Sequence, residues 1–248
     1  MLAWSTLGLL AVSVLGTSFI SGIFGMAGGM VLVGVLLALF DVAPAMLLFG
    51  VTQTAANGWR CLLWGKHVRW SIVGGYAIGS IAMFALFRFI AFMPEKAMIY
   101  LGLGLTPFLV ELLPKRWQPH IEQRGAPVFC GALIMVFQLI AGVAGNVLDL
   151  FFNKSPLDRK EIVATKAATQ TLAHMLRVAY FGSISIESFA VAPWWLYGLC
   201  IGLAFCGTTL ASRVLNAMSD VSFKRWSRWI ILAISGVYVV RGVMDLLA

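Results

Sequence analysis

The chain has 248 residues, of which 60% are hydrophobic and 11% charged, and a formal net charge of +8. A mean hydropathy of +0.92 is too high for a soluble globule, so an integral membrane protein is predicted. The positive charge does not indicate nucleic-acid binding, because the basic residues lie in short links where they orient the chain and meet lipid headgroups. The four cysteines lie in apolar segments without paired spacing, so we expect no disulfide framework, metal site or cofactor.

The first apolar run, residues 6–40, is too long for one crossing. As a straight helix it would measure about 50 Å, against about 30 Å of hydrocarbon core. Glycine disfavours helix, so the cluster at 25–29 predicts a break between two short helices, at about 6–24 and 29–40. A second broken segment is expected at about 126–156. Full-length spans are predicted at about 44–64, 70–92, 97–113, 161–181, 192–212 and 229–247.

Two motifs recur with a constant offset of 117 residues. The sequence GMAGG at 25–29 returns as GVAGN at 142–146, and TQTAANGWR at 52–60 returns as TQTLAHMLR at 169–177. Such a duplication predicts two structural repeats in one membrane domain, with a shared site between them. We place the repeats at residues 1–117 and 118–248.

The Lys and Arg residues of the links distinguish two topologies. If each broken segment crosses the membrane once, these charges divide 5 to 8 between the two faces. If each goes in and comes back out, twelve share one face and Lys96 stands alone. We therefore expect both termini outside and four basic links in the cytoplasm, at 65–69, 114–125, 153–160 and 214–228.

Three crossings per repeat would invert the second repeat relative to the first. The predicted fold is therefore an all-α integral membrane protein of two inverted repeats. Each repeat consists of a broken, re-entrant-like helical hairpin and three transmembrane helices.

Polar side chains next to each glycine break predict an anion site. The half-helix N-termini at Gly28-Gly29 and Gly145-Asn146 should present free N–H groups near the bilayer midplane. On the following helices, polar residues at i, i+4 and i+7 share a face that should turn inward. These residues are Gln53, Asn57 and Arg60 in the first copy, and Gln170, His174 and Arg177 in the second.

A structural interpretation of the same residues stays open. The amides would then only bond across helices, while the two arginines would extend to the headgroups. A lone histidine such as His174 is more often structural than a proton carrier.

The copies differ at two positions that change together: Leu32 and Phe49 become Asp149 and Lys166. Helical spacing puts both charges on the side of the predicted site, so we predict that they contact each other and act in coupling or gating. Asn146 replaces Gly29, which leaves open whether both hairpins bind substrate equally.

The Gly-x-Ala-Gly-Gly break, the Gln-bearing helix after it and their repetition resemble the sulfite exporter TauE/SafE family over nearly the whole chain. This resemblance implies a secondary transporter that exports sulfite or organosulfonates by alternating access, not an enzyme. It also implies a multi-pass protein of the inner (cytoplasmic) membrane whose partners are a small anion and the bilayer, with a homo-oligomer possible. The alternatives are a membrane enzyme acting on a lipid or quinone, which the few histidines and scattered carboxylates disfavour, and a non-transporting assembly subunit.

Overall fold

The computed structural model describes residues 4–24, 27–114, 118–185, 187, 192–217 and 220–247. Within these ranges the chain forms ten α-helices and a 3-10 helix at Gly65–His67, with no β-strand, which confirms the all-α prediction. In chain order the helices are α1 (Trp4–Phe24), α2 (Ala27–Leu39), α3 (Val42–Leu63), α4 (Trp70–Ile90), α5 (Lys96–Leu112), α6 (Ala126–Ile140), α7 (Gly145–Phe152), α8 (Arg159–Ile184), α9 (Trp194–Ala217) and α10 (Asp220–Leu247).

Both long apolar runs break where the glycines lie. In the first, α1 ends at Phe24 and α2 begins at Ala27; residues 25 and 26 lie outside the described ranges. In the second, α7 begins at Gly145, as predicted. With 13 and 8 residues, α2 and α7 are about 20 Å and 12 Å long, too short to span the hydrocarbon core. The first arm is longer than the predicted short helix, because α1 has 21 residues and could cross alone.

Each broken segment turns back on itself. Gly28 of α2 lies against Thr17 and Ser21 of α1, whereas a continuous helix would hold residues 17 and 28 about 16 Å apart. In the second segment, the backbone N–H of Ile121 donates to the oxygen of Phe151 over 2.9 Å. Because Ile121 precedes α6 and Phe151 lies in the last turn of α7, the chain leaves the segment at the level at which it entered. Both segments are therefore hairpins.

Four of the described helices contain stretches long and apolar enough to cross a membrane: Trp4–Ile23, Trp70–Ile90, Trp194–Ser212 and Trp229–Leu247. The polar helices α3 and α8 lie between them, since α3 packs on α2, α8 and α9, and α8 packs on α3, α4 and α6. Polar spans are stable in a bilayer when other helices shield them from lipid. The chain is a multi-pass membrane protein with its polar helices at the centre.

Most helix pairs recur when the two halves are exchanged, although α2–α3 and α6–α8 have no comparable counterpart. The pair α1–α9 corresponds to α4–α6, α3–α9 to α4–α8, and α2–α10 to α5–α7, while α3–α8 and α5–α10 each pair equivalent helices.

Both pairs of equivalent helices run antiparallel. Gly50 lies against Val178 and Gly58 against Thr171, so contacts between α3 and α8 follow opposite chain directions. The contacts of α5 with α10 do the same, because Leu101 meets Gly242 whereas Gly104 meets Val239. If each broken segment crossed the membrane once, α3 and α8 would be the second and sixth spans and would run parallel. If each segment is a hairpin, they are the first and fourth spans and run antiparallel, as observed, so the helix directions favour the hairpin topology. The inversion of entire halves and the boundary at residue 117 stay predictions.

The predicted link at 214–228 is largely helical. Helix α9 continues to Ala217 and α10 begins at Asp220. The segment contains neither Gly nor Pro, so nothing in its sequence requires a helix to end at the membrane surface. The side of the membrane on which this segment lies stays a prediction.

Candidate functional site

Helices α3 and α8 carry the two polar stripes into the interior. Four of the six predicted polar side chains are buried: Gln53, Asn57, His174 and Arg177. Gln170, at the position equivalent to Gln53, is half-buried, as is Arg60. The prediction that this face turns inward is confirmed; its role in binding stays a prediction.

In the first repeat, Gln53 presents an amide donor to the first turn of α2. Its Nε2 lies 3.5 Å from the position that a Cβ would take on Gly29, and it has no hydrogen-bond partner among the residues that the structure describes. Asn57 Nδ2 donates to the backbone oxygen of Gln53 over 2.9 Å and to its Oε1 over 3.4 Å. Asn57 therefore occupies the oxygen of the Gln53 amide and leaves the N–H₂ group free for a ligand.

In the second repeat, Asn146 Nδ2 and Gln170 Nε2 are amide donors without a partner in the described part of the chain. The Oε1 of Gln170 accepts from Gln138 Nε2 over 3.5 Å, so its oxygen is again occupied while its N–H₂ group is free. A buried donor without a partner is unfavourable by about 1–3 kcal/mol, and each such group requires an explanation. A ligand with several acceptor oxygens would bond these donors and so explain them.

Arg177 is completely buried and holds the end of α6. Its Nη2 donates to the backbone oxygen of Gln138 over 2.6 Å, to Gln138 Oε1 and to the oxygen of Gly142. The guanidinium also lies over the Phe49 ring, 4.9 Å from its centroid. Extension of Arg177 to the headgroups is therefore wrong.

Among the side chains that the structure describes, no buried carboxylate balances the charge of Arg177. The buried polar and charged residues of the described ranges include this arginine but no Asp or Glu. The interior therefore carries a net positive charge, which favours an anion.

Arg60 makes the matching contact in the first repeat. Its Nη2 donates to the backbone oxygen of Ser21 over 3.3 Å. Ser21 and Gln138 are themselves 117 residues apart, and each lies four residues before the start of the glycine motif of its own repeat. Sequence reasoning missed both, although the repeat register was a signal that could have found them.

His174 lies between a cation and an aromatic ring. Its Nδ1 is 3.5 Å from Arg177 Nη1, and its ring meets Phe49 edge-on with centroids 5.5 Å apart. This arrangement fits a structural role in the contact of α3 with α8.

Asp149 and Lys166 form an ion pair through Oδ1 and Nζ, which confirms the predicted contact. The pair is less buried than expected, because the side chains keep 42% and 30% of their accessible surface. The equivalent Leu32 and Phe49 are fully buried.

Gly28 has a packing role that was not expected. A Cβ at this position would overlap the backbone oxygen of Thr17 and lie 2.6 Å from the nitrogen of Ser21. The absence of a side chain at Gly28 therefore lets α2 approach α1. Gly29, by contrast, has room for a methyl group.

The second hairpin meets α2 and α5 at a crevice too narrow for a water molecule. Pro107 lies in α5 and has no N–H to bond the oxygen of Leu103, so this wall contains a weak point in its helix. Sequence reasoning did not identify Thr106 or Pro107. The residues around the crevice are Met30, Leu103, Thr106, Pro107, Val143 and Asn146.

A family model described as "Sulfite exporter TauE/SafE" matches residues 9–239, nearly the full chain. Comparison with curated proteins and with solved structures gave no match.

Proposed function

The chain belongs to the sulfite exporter TauE/SafE family, a family of membrane transporters, and on this premise we propose that it exports sulfite or small organosulfonates across the cytoplasmic membrane. The anion would sit at the hairpin breaks, in contact with the first turns of α2 and α7. The side chains proposed to line it are Gln53, Asn57, Arg60, Asn146, Gln170, His174 and Arg177.

The free amide donors carry this proposal. Three buried N–H₂ groups find no partner within the described ranges: Gln53 Nε2, Asn146 Nδ2 and Gln170 Nε2. A sulfur oxyanion has several acceptor oxygens and forms the stronger, charge-assisted class of hydrogen bond with such groups. The positive ends of the half-helices and the charge of Arg177 also attract an anion.

Transport requires the closed crevice to open. The second hairpin tip is wedged between α2 and α5, where Gly142 lies against Val33 and Ile99. We propose that the hairpins and α5 move relative to the α3–α8 pair, exposing the anion first to one side and then to the other. The antiparallel order of the equivalent helices supports such alternating access.

Flux of sulfite in proteoliposomes tests the proposal. Gln53→Ala and Gln170→Ala should each reduce the rate at least tenfold, because a hydrogen bond to a charged group contributes about 1.5–3 kcal/mol. Each variant also loses the long hydrogen bond that its Oε1 accepts, from Asn57 Nδ2 or Gln138 Nε2, so the melting temperature should fall slightly while the protein stays folded. Gln123→Ala, in an exposed link, is the matched control.

No sulfite or methanesulfonate flux above that of empty liposomes would contradict the proposed function. Equal flux in Gln53→Ala and Gln123→Ala would instead contradict the assignment of the site.

A further inference from the structure

The Asp149–Lys166 ion pair lies one helical turn from the free donors of the second repeat. Asp149 follows Asn146 by three residues on α7, and Lys166 precedes Gln170 by four residues on α8, so each charge adjoins a donor on its own helix. Neither Asn146 Nδ2 nor Gln170 Nε2 has a partner among the described residues. The ion pair therefore borders the proposed anion site.

The first repeat is built without such a pair. In the first repeat, the equivalent Leu32 and Phe49 pack in the apolar core with almost no exposed surface. The pair also remains partly accessible, which leaves room for a third group to approach Lys166. A charge pair that appears in only one of two equivalent repeats points to a task specific to that repeat.

We propose that Asp149 competes with the substrate anion for Lys166. This inference rests on the proposed function. In the closed structure the Asp149 carboxylate is paired with the Lys166 ammonium group. An arriving anion replaces the carboxylate as the partner of Lys166 and repels Asp149. Lys166 has three N–H donors and would be a further cation of the site, beyond Arg177.

Displacement of Asp149 would also move its helix. Asp149 belongs to the eight-residue α7, which follows the turn at Gly142, where φ is +76°. Repulsion between the anion and Asp149 therefore acts on a short element joined to α6 by a turn. Anion binding and movement of the second hairpin are coupled in this way.

Competition predicts opposite effects of the two single substitutions. Asp149→Asn removes the competitor, so sulfite should bind more tightly and leave more slowly. Lys166→Met leaves the carboxylate beside the anion without its partner, so sulfite should bind more weakly. If the ion pair were purely structural, both substitutions would destabilise the protein and sulfite affinity would not change in opposite directions.

The experiment measures sulfite affinity by titrated thermal shift and turnover in proteoliposomes. We expect Kd to fall about tenfold in Asp149→Asn and to rise about tenfold in Lys166→Met, the size expected for one unit charge within about 10 Å in a protein interior. Turnover should fall in Asp149→Asn despite the tighter binding. Asp149→Leu with Lys166→Phe, which copies the first repeat, should bind near the unmodified level.

Asp41→Asn is the matched control, because Asp41 and Lys96 form an ion pair at 3.8 Å outside the hairpins. It should leave Kd unchanged. Lys166→Gln replaces Lys166→Met if the latter does not fold.

Kd shifts of the same sign in both single variants, or no shift in either, would overturn the competition while the proposed function stands. Sulfite binding and flux absent from the unmodified protein and from every variant would overturn both. Binding that appears only in Asp149→Asn would support the competition and contradict sulfite as the natural substrate.

Discussion

Arg177 on α8 donates from Nη2 to the backbone oxygen of Gln138 near the end of α6, over 2.6 Å. Arg60 on α3 makes the same bond to Ser21 near the end of α1. Each arginine therefore holds the first arm of a hairpin from the central helix that follows it. Carbonyl groups at a helix C-terminus carry partial negative charge, which suits a cation.

Arg177→Met should destabilise the protein more than Arg60→Met. The first substitution leaves three oxygen acceptors without their donor in a fully buried place, and we expect a loss of about 3 kcal/mol or more. The second removes one bond at a half-buried place and should lose about 1 kcal/mol. Thermal unfolding in detergent measures both. Equal losses would show that the extra contacts of Arg177 contribute nothing.

Gly28→Ala and Gly29→Ala should separate packing from binding. At Gly28 the added methyl group meets the backbone of α1, and such overpacking is typically unfavourable by about 1–3 kcal/mol. At Gly29 the nearest atom is Gln53 Nε2 at 3.5 Å, so stability should be kept or improved, while the methyl group hinders access to that donor. We expect a lower melting temperature only for Gly28→Ala, and slower sulfite flux in stable Gly29→Ala. Unchanged flux in Gly29→Ala would place the anion elsewhere.

Gly142→Ala should lower the melting temperature more than Gly125→Ala. Both glycines have positive φ, +76° and +82°, so either alanine has an unfavourable backbone conformation, by about 1–2 kcal/mol. Only at Gly142 would the methyl group meet neighbours, Ile99 and Met46 at 3.3 Å, whereas nothing lies within 4 Å at Gly125. The difference in melting temperature reports how tightly the hairpin tip is packed. If the two variants melt alike, the tip is loose.

Asp158→Ala should lower the melting temperature at neutral pH, and Asp41→Ala should do so less. Asp158 caps α8: its Oδ1 accepts from the Glu161 N–H over 2.8 Å, and this bond lowers the pKa of the carboxyl. Asp41 starts α3 without a side-chain cap bond.

The sign of the pH effect follows from the lowered pKa of Asp158. Its contribution to stability is present above the ordinary Asp pKa and is lost as the pH falls through the lower pKa of the folded state. Melting curves of the unmodified protein and Asp158→Ala should therefore converge in strong acid. A difference that persists there would show that the cap does not depend on the carboxylate charge.

The hairpins and the charge pair could be predicted from the sequence because both depend on local chemistry. The penalty of glycine in a helix and the excess length of residues 6–40 required a break whatever the packing. Comparison of the two copies identified Asp149 and Lys166, since opposite charges that appear together in an apolar setting need each other.

The remaining contacts depend on which backbone groups come close in space. Ser21 binds Arg60 through its backbone oxygen, which any residue type has, and Gln138 binds Arg177 through its backbone oxygen and its side-chain Oε1. The steric demand at Gly28 arises from α1 lying against α2, and the position of Pro107 beside the second hairpin arises from long-range packing.

Because α3 packs on α8 and α5 packs on α10, two helices of each half contact their own equivalents. Antiparallel contact between equivalent helices is what an isologous interface would show, in which one surface matches a rotated copy of itself, as in a two-fold homodimer. On the predicted inversion, each half contributes an equivalent surface to these contacts, and the link between the halves raises their effective local concentration. Two halves produced as separate chains should associate in the membrane through the faces that include Gly50, Gly58 and Gly104.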